Sequence, residues 1–328
     1  MDIYPQISPL LSEIERIMEG DMGKEDQRIY GMLAPFIKRG GKRIRPALCM
    51  LSCGACGGEH RAAVDISAII ELFHNFTLIH DDIEDDAQFR RGEPALHVSH
   101  GTAMALNSGD ALYTLLWRKL VCFDIPPTKL RKMQKMCAEA FKRVVDGQGI
   151  EISWIKEGRF DIGEDDYLAM IDGKTSALMG LSCEVGAFMA GAKAPLRSAM
   201  RDYGELLGAA FQIHDDVLNV TGDFSKYQKE IGGDITEGKR TLMVVHCLNN
   251  APEPERKELI AILSSHTREK ASIERAIVLL GKHGSIDYAR SRAASLVSKA
   301  RQKLSRLSDS ADKASLDAIA RYVIGRER

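Results

Sequence analysis

The sequence predicts an all-α protein, a single domain in which a bundle of long helices surrounds a central cavity. Apolar residues recur with helical spacing along most of the chain, and the alternation typical of strands is almost absent. The 45% share of apolar residues is enough for a sizeable core in a chain of 328 residues. No Pro/Ser-rich linker or low-complexity segment divides the chain, so the predicted domain covers residues 1–328.

Helical periodicity gives the elements in order, and glycine and proline residues separate them. The separators include Gly40 with Gly41, Pro126 with Pro127, and Pro252. The predicted helices cover residues 6–19, 46–56, 62–85, 102–122, 128–147, 164–192, 197–220, 239–248, 253–264, 270–283, 285–307 and 310–324. Bundles of this kind build metal and ligand sites from inward side chains on facing helices.

Charge and composition argue against several classes of protein. The net charge of −1 gives no global attraction to nucleic acid or to an anionic membrane, so any phosphate affinity must be local. The N-terminus is polar and shows no signal peptide. The longest apolar stretch, residues 177–192, contains Glu184 and is shorter than the ~20 residues that span a bilayer. The seven cysteines are therefore interpreted as reduced thiols of a cytoplasmic protein.

Three of the cysteines have the C-x3-C-x2-C spacing that holds iron–sulfur clusters in radical enzymes, namely Cys49, Cys53 and Cys56. Such triads normally follow a strand, whereas this segment reads as a helix that starts at Pro46. On a helix the three thiols share one face, which favours buried small side chains over a metal cluster.

The tetrapeptide Ile-His-Asp-Asp occurs twice, at residues 79–82 and 213–216, each time within an apolar run. Carboxylates interleaved with Ile, Leu and Phe are unusual on a solvated surface, and their burial costs free energy unless a cation neutralises them. A hard divalent cation is the simplest neutraliser of several carboxylates. The repeat therefore suggests two halves of one metal-filled cavity.

Helical spacing adds further polar residues to both copies. In the first, Asp85 lies four residues after Asp81 on the same helical face. In the second, Asn219 lies four residues after Asp215, and Gln212 precedes Asp216 by the same distance. All four residues of the second set can face one cavity.

Basic segments, most of them rich in glycine, accompany the acids. They are Gly-Gly-Lys-Arg-Ile-Arg-Pro at 40–46, Arg-Arg-Gly at 90–92, Gly-Lys-Thr at 173–175, and the stretch from Lys229 to Lys239. A surface role is the usual one for a single lysine, but this many cations beside two acid clusters indicate a ligand. Arginine forks suit phosphate oxygens, and Mg²⁺ bridges the remaining oxygens to carboxylates. The implied ligand is a diphosphate, and more than one of them.

These segments, in this order from about residue 40 to 241, resemble the trans-prenyl diphosphate synthases, most of all the geranylgeranyl and farnesyl diphosphate synthases. The resemblance implies an isoprenoid synthase-like fold, a homodimer, and a deep cavity between helices. It also implies an enzyme that condenses isopentenyl diphosphate with an allylic diphosphate by ionisation, condensation and elimination. Mg²⁺ is the implied cofactor, with three ions, and the departing diphosphate is implied to take the final proton.

The resemblance also implies site residues, position by position. The Mg²⁺ ligands are Asp81, Asp82, Asp85, Asp215, Asp216 and Asn219. The isopentenyl diphosphate site is formed by Lys42, Arg45, His74 and Arg91. The cations around the allylic diphosphate are Arg90, Lys174, Lys229 and Lys239, and Thr175 and Gln212 turn polar groups toward the carbocation. Many family members have Asp where this chain has Asn219, so we expect a weaker contribution to one metal without loss of activity.

Product length in this family is set on the helix before the first acidic motif. The position five residues before Asp81 is Phe76, followed by the small Thr77, a pattern similar to archaeal-type geranylgeranyl synthases. On an ideal helix, however, Phe76 lies about 140° from Asp81, and Phe73 lies closer to its face. Either the helix is irregular, or Phe73 is the floor, that is, the residue that closes the cavity and stops chain growth, unless both rings are plain core residues. The predicted product is geranylgeranyl diphosphate, with farnesyl or geranylfarnesyl diphosphate as alternatives.

Three other functions are less compatible with the sequence. An HD-type metal phosphohydrolase would have further histidine ligands and no use for the basic segments. A non-catalytic partner subunit of a heteromeric prenyl synthase should have eroded acids, whereas five of the six predicted ligands are Asp. A terpene cyclase would lack the basic pair Lys42 and Arg45 and would replace the second acid motif.

Overall fold

The computed structural model describes residues 5–222 and 232–325, and the all-α prediction is confirmed over this part of the chain. Its strands are two short ones, β1 (Phe89–Arg90) and β2 (Glu93–Pro94), which pair antiparallel with Phe89 opposite Pro94. The turn between them consists of Arg91 and Gly92, both with positive φ, as the tight two-residue hairpin turns require. The hairpin lies immediately after the first acidic motif.

The helices up to the second acidic motif carry the labels α1 to α11. They are α1 Ser8–Met22, α2 Gln27–Tyr30, α3 Leu33–Lys38, α4 Ile44–Ala55, α5 Val64–Glu84, α6 Leu96–His100, α7 Thr102–Val121, α8 Pro127–Lys156, α9 Glu164–Ile171, α10 Ala177–Met189 and α11 Ala194–Thr221. The later helices are Gly233–Thr236, Leu242–Asn250, Glu253–Ser264, Lys270–Lys282, Ser285–Lys303 and Ala311–Gly325.

Most predicted helices are present with ends shifted by a few residues, and the differences have physical causes. The helices α2, α3, α6 and Gly233–Thr236 were not predicted, since segments of four to six residues are too short to show a helical period. The predicted helix 164–192 is interrupted by a π-helical turn, Asp172–Ser176.

Helix α8 runs on to Lys156, beyond the end predicted at residue 147. Gly147 was the last residue of the predicted helix, but in the structure it lies inside α8 and permits close packing. A Cβ atom on Gly147 would lie 2.2 Å from the backbone nitrogen of Lys174, and one on Gly173 would lie 2.6 Å from the carbonyl oxygen of Arg143. These glycines allow α8 and the π-helical turn to touch through their backbones.

The described residues group into two compact units. Unit 1 comprises Met1–Glu139, Leu181–Arg201 and Leu304–Ala318, and unit 2 comprises Ala140–Gly180, Asp202–Lys303 and Ile319–Arg328. The prediction of one domain over residues 1–328 stays a prediction.

Helix α5 is the central helix of unit 1. It packs against α1, α4 and α7, and it buries Ile69, Leu72 and Phe73 completely. Cys49 and Cys53 of α4 are free and buried, as expected for core residues, and burial raises the pKa of the Cys49 thiol to about 12. Such a thiol stays protonated and unreactive.

In unit 2, helix Leu242–Asn250 packs against α9 and against helix Ser285–Lys303. His246 from the first of these helices stacks on Tyr288 from the last, with ring centroids 4.2 Å apart. The Tyr288 hydroxyl donates a hydrogen bond to Glu164 at the start of α9. These contacts fix the beginning of α9, the helix that leads to the π-helical turn.

One helical segment in the described part of the chain, His60–Glu84, is long and apolar enough to cross a membrane by length and composition. It differs from residues 177–192, which the sequence analysis identified as the longest apolar stretch. The most apolar 18 residues of this segment are 67% buried inside the protein, which is typical of a core helix.

Candidate active site

The first acidic motif occupies the C-terminal end of α5. Asp81 and Asp82 lie in its last turn, Asp85 is the residue after its end, and no basic residue lies in that turn. Carboxylates are unfavourable at this end, because the helix dipole is negative there. Three of them together therefore need cations from elsewhere.

Arg90 of β1 supplies one such cation. Its Nε donates to Asp82 Oδ1 at 2.6 Å, and its second nitrogen lies 3.3 Å from Asp81 Oδ2. Burial raises the pKa of Asp82, and the Arg90 guanidinium opposes this shift. The other oxygen of Asp82, Oδ2, is buried and has no hydrogen-bond partner among the described residues. Arg90 thus neutralises the motif only in part.

A separate basic group in unit 1 contains the four residues predicted for isopentenyl diphosphate, of which Lys42 is exposed in the loop before α4. Arg45 donates from NH1 to Nε2 of His74 at 3.2 Å. Burial, together with Arg45 and Arg91, lowers the pKa of His74 well below its ordinary value, so the ring is neutral. An Arg donor on Nε2 also places the His74 proton on Nδ1.

Buried N–H groups in this basic group lack partners. Arg45 Nε and Arg91 NH1 have no hydrogen-bond acceptor within the described segments. Gly41 has φ +141°, and a Cβ there would lie 3.0 Å from an Arg91 nitrogen, so the glycine allows the guanidinium to pack on the loop. Unsatisfied donors on buried cations are costly, which indicates an anion site.

The tight hairpin separates the two consecutive arginines. Arg90 lies in β1 and contacts the acids of α5, whereas the charge of Arg91, in the turn, interacts with Glu71 and with the neighbouring arginines Arg43 and Arg45. Burial lowers the pKa of Arg91 to about 10, and Glu71 opposes that shift. Adjacent residues therefore belong to different groups, as the predicted roles require.

In unit 2, the second acidic motif lies on α11 and is joined to a chain of hydrogen bonds. The Tyr167 hydroxyl donates to Asp216 Oδ2 at 2.7 Å, and Gln212 Nε2 donates to Asp216 Oδ1 at 2.8 Å. The Thr175 hydroxyl donates to Gln212 Oε1 at 2.7 Å. Burial raises the pKa of Asp216, and the nearby Asp215 adds to this effect. A bound cation would favour the ionised carboxylate.

Asn219, the unusual residue of this motif, has a structural contact. Its side-chain Oδ1 accepts a hydrogen bond from the backbone N–H of Asp234 at 3.1 Å. Its backbone carbonyl oxygen accepts one from the backbone N–H of Gly232 at 2.8 Å. Asn219 thereby fastens the Gly-Gly-Asp segment to α11. An amide oxygen has two lone pairs, so this contact leaves one for a metal ion.

The π-helical turn contains Lys174, which was predicted for the allylic diphosphate, and Thr175, which was predicted to face the carbocation. Such turns insert an extra residue into a helix and are frequent at functional sites. Lys174 forms an ion pair with Glu151 of α8, and Lys239 forms one with Glu237. Lys229, the remaining predicted cation, lies outside the described residues.

Aromatic rings from α5 and α7 form a cluster in unit 1. The Phe76 ring lies 5.5 Å from Phe73, 5.0 Å from Tyr113 and 4.6 Å from His80, measured between centroids. Tyr113 also contacts Phe73, at 6.4 Å. We call these four residues the aromatic cluster. Both predicted floor residues belong to it, and α5 is α-helical throughout Val64–Glu84.

The carboxylates fit Mg²⁺, although among the described residues no group of three or more His, Cys, Asp and Glu side chains could by itself hold a metal ion. Mg²⁺ is usually bound by one or two carboxylates, several waters and the phosphates of a substrate. The oxygen donors are hard, and Asp82 Oδ2 is buried with no hydrogen-bond partner in the described chain. An open set of ligands suits an ion that binds together with a diphosphate.

Sequence reasoning missed Tyr167, Glu151 and Glu71 as neighbours of the predicted residues. Glu151 was missed because α8 was predicted to end at Gly147. If the helix had been continued past this glycine, Glu151 would have been placed on the same helical face as Gly147, four residues further on. Tyr167 and Glu71 have no motif of their own. That the two acidic motifs, one in each unit, face a common cavity stays a prediction.

An all-α fold with two aspartate motifs and arginine groups suited to diphosphate defines the class of trans-prenyltransferases. The chain belongs to the polyprenyl synthetase family, whose model, described as "Polyprenyl synthetase", matches residues 26–280. It is 37% identical over 327 residues to the short chain isoprenyl diphosphate synthase of Methanothermobacter thermautotrophicus, an alignment that covers 100% of this chain and 98% of that one.

Solved structures agree with this family. The geranylgeranyl pyrophosphate synthetase of Pyrococcus horikoshii matches with a TM-score of 0.92 and 32% identity, covering 99% of this chain and 98% of that one. The polyprenyl synthase of Caulobacter crescentus, solved with calcium and isoprenyl diphosphate, matches with a TM-score of 0.91 and 27% identity over 99% and 97% of the chains. The predicted family, fold and enzyme class are confirmed, and the phosphohydrolase and cyclase alternatives are wrong.

Proposed function

We propose that this prenyltransferase condenses isopentenyl diphosphate with an allylic diphosphate in a Mg²⁺-dependent reaction and stops mainly at geranylgeranyl diphosphate. The observation that carries the proposal is the division of charged groups in unit 1. Carboxylates gather at the end of α5 with Arg90, while Arg45 and Arg91 keep buried N–H groups without acceptors. The first group suits a metal-bound diphosphate, and the second suits a diphosphate held directly by cations.

The residues of this chain supply the electrostatics of the reaction. Mg²⁺, when bound, would neutralise charge that builds up on the departing diphosphate. Arg90 adds positive charge for the same group, and Lys174, Lys229 and Lys239 are the further cations that the resemblance to the family implies for it. Thr175 and Gln212, linked by their hydrogen bond, offer oxygens to the carbocation. Neutral His74 orients Arg45 without adding charge to the isopentenyl site. Three Mg²⁺ ions is the number that the resemblance to the family implies.

The aromatic cluster supports a product of intermediate length. Phe73 and Phe76 lie on the helix that carries the diphosphate-binding acids, so a growing tail meets a bulky side chain after a fixed number of isoprene units. The Pyrococcus horikoshii protein, with similar fold and sequence, is a geranylgeranyl pyrophosphate synthetase. Farnesyl and geranylfarnesyl diphosphate are the alternative products.

Product analysis tests the proposal directly. Purified protein is incubated with Mg²⁺, isopentenyl diphosphate and each allylic primer in turn, and the dephosphorylated products are separated by chromatography. Geranylgeraniol as the main alcohol supports the proposal, and farnesol or a longer alcohol would correct the chain length. No product with any primer would contradict the proposed reaction.

Arg45→Ala is expected to raise the KM for isopentenyl diphosphate roughly 10- to 100-fold, the size of effect that follows loss of charge-assisted hydrogen bonds. The KM for the allylic primer should change little, because Arg45 belongs to the group around His74. Steady-state kinetics with each substrate varied in turn measures both constants. Arg39→Ala is the control, because Arg39 directly precedes the basic segment 40–46 and its side chain donates a hydrogen bond to the Pro94 carbonyl. A defect confined to the primer would contradict the assignment.

We also propose a homodimer. The outward face of α7 carries exposed apolar residues at helical spacing, with Leu106 45% and Val121 58% exposed. Tyr113, 36% exposed, lies between them in sequence and is also part of the aromatic cluster. A helix face of this kind is typical of a surface that a second copy covers, since isologous dimers are the commonest oligomers.

Leu106→Asp is expected to weaken or abolish the dimer, because it places a charge in the apolar contact. Sedimentation equilibrium of the variant and the wild type measures the change. Val278→Asp provides the control, since Val278 is 55% exposed on helix Lys270–Lys282 in unit 2. A wild-type protein that sediments as a monomer would rule out the dimer.

We propose that the protein is located in the cytoplasm. All seven cysteines are free, and Cys122 is exposed, as suits a reducing environment. Fractionation of cells that produce the protein tests the location, and recovery outside the cytoplasm would contradict it.

A further inference from the structure

Arg43 lies in the basic segment between the two predicted diphosphate ligands Lys42 and Arg45, yet its guanidinium is fully occupied within the protein. NH1 donates to Glu71 Oε1 at 2.7 Å, Nε donates to Glu15 Oε1 at 3.0 Å, and NH2 donates to the Ile37 carbonyl at 2.8 Å. The Arg43 side chain is only 4% exposed. A guanidinium with all three nitrogens engaged is an anchor and not a ligand for substrate.

The backbone at Arg43 is consistent with an anchored position. Arg43 has φ +46°, a left-handed conformation that is unfavourable for a residue with a side chain, and it caps the start of α4. Such a conformation persists only where surrounding contacts enforce it. The three hydrogen bonds of the guanidinium do so, and they fix the loop between Gly40 and Ile44.

Glu71 is the buried partner of this anchor, with a side chain 3% exposed. It lies on α5 one turn before His74, and its charge acts on Arg45 and Arg91 as well as on Arg43. In each case the carboxylate favours the charged guanidinium, against the effect of burial at Arg45 and Arg91. One carboxylate thus compensates three arginines that would otherwise repel one another.

Stability alone is a poor explanation for this pair. Buried ion pairs often contribute little net free energy of folding, because removing both charges from water costs about as much as their attraction returns. What the pair does provide is a fixed geometry, since an Arg fork has defined directions for its donors.

We propose that Arg43 and Glu71 are positioning residues of the isopentenyl diphosphate site. Arg43 fixes the loop so that Lys42 and Arg45, on either side of it, present their charges to the diphosphate. Glu71 holds Arg43 and keeps Arg45 and Arg91 close together when no anion is bound. Because isopentenyl diphosphate is the ligand, the proposal rests on the function proposed above.

Arg43→Lys and Glu71→Gln test the two halves of the pair. Lysine keeps the charge but cannot engage Glu71, Glu15 and the Ile37 carbonyl together. We expect each variant to raise the KM for isopentenyl diphosphate about tenfold, as a misplaced binding group does, while kcat at saturation and the KM for the primer change less than about twofold. A purely structural role would lower kcat and affect both KM values.

Glu71→Gln also separates the proposal from a simple charge effect. If Glu71 acts only by repelling the substrate anion, removal of its charge should lower the KM for isopentenyl diphosphate. A lowered or unchanged KM in Glu71→Gln therefore overturns the proposal. Asp21→Asn is the matched control, because it also removes one carboxylate from an ion pair. Asp21 lies on α1, and its Oδ2 is 2.5 Å from Lys119 Nζ.

Binding without catalysis separates this proposal from the proposed function. Isothermal titration of isopentenyl diphosphate in EDTA gives a Kd that does not depend on turnover. If the wild type neither binds it nor makes product, the proposed function fails; if the wild type binds and Arg43→Lys binds equally well, only the positioning role fails. Should both buried variants fail to fold, Glu15→Gln provides the test, since Glu15 is 41% exposed. An unchanged Kd in Glu15→Gln would then overturn the proposal.

Discussion

Alanine in place of Asp81 or Asp215 is expected to lower kcat at least ~100-fold, the size of effect that follows loss of an electrostatic group from a reaction centre. Each substitution removes a hard oxygen ligand from one acidic motif. In unit 1 the loss also leaves Arg90 with fewer carboxylates around its guanidinium. Turnover measured over a range of Mg²⁺ concentrations gives kcat and the metal dependence together.

Asp65→Ala is the control for this prediction, because Asp65 is an exposed carboxylate in the first turn of the same helix, α5. Its removal should leave kcat within about twofold, as is usual for surface substitutions. Turnover similar to the wild type in either motif variant, in buffer treated with EDTA, would refute a metal-dependent role for the acids.

Removal of an aromatic ring from α5 is expected to lengthen the product. Phe76→Ala opens space beside Tyr113 and His80, and a truncated phenylalanine leaves a cavity that the surrounding core refills only in part. The growing tail can then pass the point where it stops in the wild type. Chromatography of the dephosphorylated products should show alcohols longer than geranylgeraniol.

The regular geometry of α5 makes Phe73→Ala the more informative partner variant. Since α5 is α-helical from Val64 to Glu84, Phe73 lies about 80° from Asp81 around the helix axis and Phe76 about 140°. We therefore expect Phe73→Ala to lengthen the product more than Phe76→Ala does. Phe36→Ala, at another buried phenylalanine of unit 1, should leave product length unchanged. Wild-type products from both α5 variants would place the floor elsewhere.

Positions and contacts that depend on spacing along one helix could be predicted from the sequence. Asp81, Asp82 and Asp85 lie at the end of α5, as their motif indicated, and Gln212 meets Asp216 because four residues separate them. Such contacts follow from helical geometry alone.

Contacts between distant segments could not be predicted in this way. Tyr167 meets Asp216 across 49 residues, and Arg43 meets Glu71 across 28. Neither pair has a periodic signal, since both depend on how helices pack. Gly147 is a further example. From local sequence a glycine favours the end of a helix, whereas in the structure the absence of a side chain at Gly147 permits contact with the π-helical turn.

The π-helical turn at Asp172–Ser176 restricts how this part of the chain can change length. A π-helical turn is an α-helix with one residue inserted, and one residue corresponds to about 100° of rotation around the helix axis. Any single insertion or deletion between α9 and α10 would turn every later side chain of the helix to a new direction. Related sequences should therefore keep this segment at constant length.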